Sequence, residues 1–149
     1  MARRRNFFRD ARDMFENFVG REPFSLWRED VLRDYCNFGL LPDPNGDGYV
    51  LACPPTIEAS VYMGNSATDI HQYIEKVELP VVVLRARQDT SDRTVMNFSK
   101  SPTWDQLAGE FKRGTDVYLP DMTHFIPMQD PQLTARYLAG DIPVRYGVR

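Results

Sequence analysis

The chain has 149 residues, 42% of them apolar, with 18 basic and 21 acidic side chains and a formal net charge of -3. That length suits one domain with a core of its own, and the mild acidity gives no field that would steer a nucleic acid. No apolar run of about 20 residues and no leader-like core at the start point to a membrane or secreted protein, so a cytoplasmic location is expected. Cys36 and Cys53 are too few for a disulfide framework and read as packing thiols. Arg3-Arg4-Arg5 is a short basic cluster and reads as a solvated amino terminus.

Taken in chain order, residues 6–18 predict an amphipathic helix, because Phe7, Ala11, Phe15 and Phe18 recur at helical spacing on one face. Gly20 ends it, and Pro23 opens a second helical element over residues 24–38, with Trp27, Val31, Leu32 and Tyr35 on its apolar side. Residues 42–48 predict a turn by composition. Asp43, Asn45, Asp47 and Gly48 imitate the first half of a calcium loop, but the twelfth position, where a carboxylate is required, is Pro54. Residues 49–53 read as a short extended run. Thr56 reads as an N-cap for a helix that turns Ile57, Val61 and Met63 inward. A further helical segment is expected over residues 69–77, with Ile70, Tyr73, Ile74 and Val77 on one side.

The pattern changes at residues 79–84. Val81-Val-Val-Leu84 is a β-branched run without alternation, the mark of a strand buried on both faces in a parallel sheet. Residues 85–94 read as a polar loop. Residues 103–111 read as a helix on Trp104, Leu107, Ala108 and Phe111, and residues 116–119 as the next strand. Asp130-Pro131 then supplies an acidic cap and a first-turn proline for a helix that stops at Gly140. Strand, helix, strand, helix is α/β logic, with a loose tail over residues 141–149. Two strands alone bury their faces and edges poorly, so the sheet reads as part of a larger one.

His71 and His124 are the chain's two histidines. His71 has a polar helical context and reads as a surface or cap residue. His124 follows a strand by five residues and precedes a helix, at the strand end where function gathers in doubly wound proteins. A general-base histidine needs a carboxylate to hold its tautomer. Asp89 stands just past the end of the Val81 strand and is the first candidate, with Asp92 the alternative. If the two strands are parallel neighbours, their terminal loops meet.

Several stretches carry a resemblance over most of residues 5–139: Arg21-Glu-Pro-Phe-Ser-Leu-Trp27, Leu51-Ala-Cys-Pro-Pro-Thr-Ile-Glu58, Leu79-Pro-Val-Val-Val-Leu-Arg85 and, most specifically, Met122-Thr-His124-Phe-Ile-Pro-Met128. With these the chain resembles the carboxyl-terminal half of an α/β-hydrolase, in the esterase- or epoxide-hydrolase-like branch. The resemblance implies an α/β fold in which residues 1–75 form a helical lid and its return to the core, and residues 76–140 the last β-α-β-α units of a parallel sheet. It implies His124 as general base, Asp89 (or Asp92) as its orienter, and Phe24 and Trp27 as candidates to line a pocket, although core packing accounts for both rings as well. Met122 stands where the family commonly has glycine.

The family's nucleophile sits in a Gly-x-Ser-x-Gly elbow. None of Ser25, Ser60, Ser66, Ser91, Ser99 or Ser101 lies in such an elbow, and the aspartate equivalent is absent too. The chain therefore reads as a truncated or split hydrolase of an ester or related small apolar substrate, inactive alone. The alternative is a non-catalytic interaction module, or half of an enzyme completed by a complementary chain or a second copy. No cofactor is expected: there is no Gly-x-Gly-x-x-Gly fingerprint, and two histidines with two cysteines make no metal-ligand cluster.

Overall fold

The computed structural model describes residues 4–64, 69–87 and 100–144, without the side chain of Tyr62. The chain divides into two compact units, Met1–Thr68 and Asp69–Arg149.

In the amino-terminal unit, β1 (Phe7–Phe8), β2 (Leu40–Pro42) and β3 (Tyr49–Leu51) form an antiparallel sheet in the order β1-β3-β2. Phe7 pairs with Val50, and Leu40 with Leu51. The helix expected from residue 6 instead begins as α1 (Ala11–Phe18), where the Asp10 carboxylate accepts the Asp13 N–H at 2.8 Å. Phe7 and Phe8 are claimed by a strand about forty residues away, a long-range demand that local periodicity cannot register. A 3-10 turn (Phe24–Leu26) and α2 (Glu29–Phe38) replace the single element expected over 24–38.

The turn at 42–48 joins β2 to β3. Asp43 N–H donates to the Gly48 carbonyl, and the Asp43 carboxylate accepts the Asn45 N–H at 2.9 Å, so this carboxylate serves the backbone of a hairpin. Phe8, Met14, Leu32, Cys36 and Leu51 form one closed core. Around it Phe18 stacks on Phe24 at 4.3 Å, Phe24 meets Trp27 at 5.0 Å, and Trp27 meets Tyr35 edge-on at 5.6 Å. Cys36 is buried and Cys53 exposed.

Helix α3 (Pro55–Gly64) starts one residue before Thr56, which is therefore inside the helix. Ile57, Val61 and Met63 do not turn inward. They are exposed; Thr56, Glu58 and Ser60 are spread among the apolar residues of the helix, so periodicity singles out no one face.

In the carboxyl-terminal unit, the segment expected over 69–77 shrinks to α4 (His71–Ile74), flanked by i→i+3 bonds from Tyr73 to Ile70 and from Val77 to Ile74. Strands β4 (Val81–Ala86) and β5 (Gly114–Leu119) pair in parallel, Val81 with Gly114 through Ala86 with Leu119. The strand runs two residues past its expected end: Arg85 and Ala86 are buried strand residues, not loop. The helix expected over 103–111 is the single turn α5 (Leu107–Glu110), entered through i→i+3 bonds from Leu107 to Trp104 and from Gly109 to Gln106. Gly114 opens β5, and a Cβ there would lie 1.9 Å from the Ala108 carbonyl oxygen. α6 (Ile126–Gln129) and α7 (Pro131–Ala139) follow. Asp130 caps α7 by accepting the Leu133 N–H at 2.8 Å, and Gly140 closes it at φ 77, a conformation that glycine adopts without penalty. No helix among the described residues is long and apolar enough to cross a membrane.

Candidate functional site

The site is built on the carboxyl ends of β4 and β5. Beyond Leu119 the chain folds back in a tight turn, with Met122 N–H donating to the Leu119 carbonyl at 3.1 Å. His124 stands in the turn between β5 and α6, as its spacing predicts, and the residue is exposed. It meets the Phe125 ring edge-on at 5.8 Å.

The residue before it holds the turn rigid. Thr123 is 2% exposed. Its backbone N–H and its hydroxyl both donate to the Gln129 side-chain oxygen at 2.9 Å, and the hydroxyl oxygen accepts the Phe125 N–H at 3.3 Å. Both ends of the histidine turn are thereby tied to α6. Buried polar groups satisfied in this way fix a unique local geometry.

The other strand end lies alongside. Arg87 N–H donates to the Met122 carbonyl at 3.1 Å, and the Arg87 carbonyl accepts the Ser101 N–H at 3.0 Å. The chain leaving β4 is thus bonded to the histidine turn two residues before His124, and the chain returning at Ser101 is bonded to Arg87. A cavity of about 200 Å³ opens here, lined by His124 with Leu84, Ala86, Ser101, Thr103 and Ile126 among others. Its wall mixes apolar side chains with hydroxyls.

Asp89 and Asp92 both lie outside the described residues. Among the described residues the His124 ring contact is with Phe125 rather than with a carboxylate, and no group of His, Cys, Asp and Glu side chains could hold a metal ion. His71 is exposed, with its ring 6.3 Å from that of Trp104 and its backbone N–H donating to the Asp69 carboxylate. Phe24 and Trp27 belong to the aromatic shell of the amino-terminal core.

Sequence reasoning missed the Thr123–Gln129 lock and an ion pair on the opposite face of the sheet. Arg85 is 8% exposed, and its Nε and Nη2 donate to the two Asp116 oxygens at 2.5 and 2.8 Å. The Arg85 guanidinium also lies 5.2 Å from the Tyr118 ring centroid. The bond to Asp116, against the cost of burial, holds this guanidinium in its charged form. The signal available was an acid in an otherwise strand-like segment, Gly114-Thr-Asp-Val-Tyr-Leu, opposite a strand ending in arginine.

No protein family's sequence model matches the chain, and no curated protein matches it in sequence. A solved structure is similar in fold: the crystal structure of E-2-(acetamidomethylene)succinate hydrolase, at a TM-score of 0.65 and 19% identity, over 90% of this chain and 46% of that one. The chain thus spans less than half the length of the hydrolase chain it matches. At that identity the likeness is one of fold: a mixed α/β architecture whose parallel β4–β5 pair is consistent with part of an α/β-hydrolase core.

Proposed function

We propose that this chain carries the histidine arm of an α/β-hydrolase active site, with His124 as general base and Asp89 as the carboxylate that orients it. Asp92 is the alternative acid. In this reading residues 1–75 are the counterpart of the helical lid of the esterase- or epoxide-hydrolase-like branch, and the substrate is an ester or related small apolar compound. The nucleophile and the oxyanion donors come from outside these 149 residues. His124 would take the nucleophile's proton and return it to the leaving group, and its partner acid would hold the ring in the productive tautomer.

One observation carries the proposal: the Arg87–Met122 backbone bond at 3.1 Å joins the chain that leads to Asp89 and the chain that leads to His124, two residues before each. Two residues span at most about 7 Å, so the reading requires Asp89 to find the His124 ring within that reach of this bond. The matched structure is that of a hydrolase, which supports the class of reaction.

Acyl transfer needs nucleophile, base and oxyanion donors together. The purified chain is therefore expected to hydrolyse p-nitrophenyl acetate no faster than its His124→Ala variant. Turnover by the chain alone that His124→Ala abolishes would contradict the split of the site.

A second reading, an interaction module without chemistry, draws on β4. Its Val-Val-Val-Leu run has the composition of a central strand, yet among the described residues it pairs only with β5. A complementary chain bearing a serine elbow that restores His124-dependent turnover favours the enzyme. Assembly with such a chain and no turnover favours the module.

A further inference from the structure

The apolar pattern of β4 does not define its own register. A one-residue slip normally exchanges the faces of a strand, and the burial of one face forbids it. Val81, Val82, Val83 and Leu84 are apolar on both faces, so slippage against β5 costs this strand little. Burial along the run is even as well: all four side chains are partly buried. Something else must fix how far β4 reaches.

The Arg85–Asp116 pair is the one charged link across β4 and β5 among the described residues. It is bidentate, its arginine is buried, and it runs diagonally: Arg85 is opposite Tyr118, and Asp116 is opposite Val83. Both bonds depend on that offset. A slip in either direction would carry the guanidinium about 3.3 Å along the strand and leave a charge buried without its partner. Buried ion pairs add little net stability compared with apolar replacements, and their best-attested use is in specifying register.

Register matters here because β4 leads directly into the site. Arg87 is two residues beyond Arg85, and its N–H must meet the Met122 carbonyl for the chain leaving β4 to lie along the histidine turn. We infer that Arg85 and Asp116 are positioning residues: their pair pins the β4–β5 register and thereby sets the chain leaving β4 against the turn that bears His124. The catalytic meaning of this placement rests on the hydrolase reading, whereas the register itself does not.

The test uses the full 149-residue chain, isotopically labelled, in three forms: wild type, Arg85→Met/Asp116→Leu, and the charge-swapped Arg85→Asp/Asp116→Arg. The apolar pair is expected to remain folded while losing uniqueness. Resonances of Val81 to Ala86 should double or broaden, the contact between the Arg87 amide and Met122 should weaken, and exchange of the Arg87 amide should rise by about tenfold or more, as expected for loss of a charged hydrogen-bond constraint. The swapped pair should restore a single set of resonances and slow exchange. A folded apolar variant with one set of resonances and an unchanged Arg87–Met122 contact would overturn the inference and leave the pair a stabilising contact only. Should the apolar variant fail to fold, the swapped chain decides alone: a single register at wild-type exchange supports the pin, and a folded chain with doubled resonances refutes it. These readouts concern the backbone, so failure of the hydrolase reading, seen at the His124 ring, leaves them standing.

Discussion

The two units bury different kinds of side chain. In the amino-terminal unit Phe8, Met14, Leu32, Cys36 and Leu51 touch one another in a closed apolar core ringed by Phe18, Phe24, Trp27 and Tyr35. Among the described residues of the carboxyl-terminal unit the buried apolar ones are Ile74, Ala86, Ala108 and Ile126, two of them alanine, and they are joined by the buried polar residues Arg85, Ser101 and Thr123. Apolar burial is non-directional and supplies stability. Buried polar groups demand partners in fixed directions and supply geometry instead. The first unit is organised to stay folded, and the second to hold a turn, a strand register and a histidine in place.

Phe8 is fully buried in the amino-terminal core, and its loss should separate the two units most visibly. Phe8→Ala should cost the amino-terminal unit about 3–5 kcal/mol, measured by urea unfolding followed through Trp27 in a Trp104→Phe background. The His124 resonances should remain in place at denaturant concentrations where Trp27 has become solvated. If both units lose structure together, the separate organisation of the two cores is wrong.

Cys36 tests the same core by pH. Burial pushes its thiol up to about 11 from an ordinary value of 9.0. In the unfolded chain the thiol ionises first, so between pH 9 and 11 the unfolded state binds fewer protons and stability falls as pH rises. The loss should reach no more than roughly 3 kcal/mol across that window and should be absent from Cys36→Ala. Equal pH slopes for wild type and variant would contradict the burial of the thiol. Exposed Cys53 serves as the internal control, alkylated at mild pH while Cys36 is protected.

Thr123 sharpens the contrast from the other side. Thr123→Ala removes the hydroxyl from Gln129 and Phe125 and should cost about 1–3 kcal/mol, less than the loss of Phe8. Its effect on geometry should be the larger one, with a displaced His124 ring resonance and a mobile turn. Thr123→Ser should restore both. A variant as destabilised as expected but with an unmoved His124 spectrum would show that the lock does not orient the histidine.

Much of the carboxyl-terminal unit was legible in the sequence. The unalternating Val81 run, the capped start at Asp130-Pro131 and the placement of His124 after a strand depend on local chemistry, and β4, α7 and the histidine turn follow them. What the sequence concealed was long-range. Phe7 and Phe8 read as the start of a helix because their partners, Val50 and Tyr49, are far along the chain. Arg85 read as loop because a charge at the end of an apolar run usually marks solvent, and its partner Asp116 is 31 residues on. Trp104 read as a helix face, but i→i+3 bonds take the turn around it and leave its ring 47% exposed. The candidate site was legible as one histidine. The Thr123–Gln129 lock and the Arg87–Met122 bond that frame it are properties of the folded chain.

The two histidines of the chain allow a direct measurement of whether a carboxylate following β4 orients His124, as proposed. In 15N-labelled protein the ring N–H of His124 should appear as a strongly downfield proton protected from solvent exchange, while exposed His71 gives none. Asp89→Asn should abolish that signal, and Asp92→Asn should leave it. Loss with Asp92→Asn alone would move the orienting role to Asp92. A His124 ring that exchanges as freely as that of His71, in wild type and in both variants, would contradict the account.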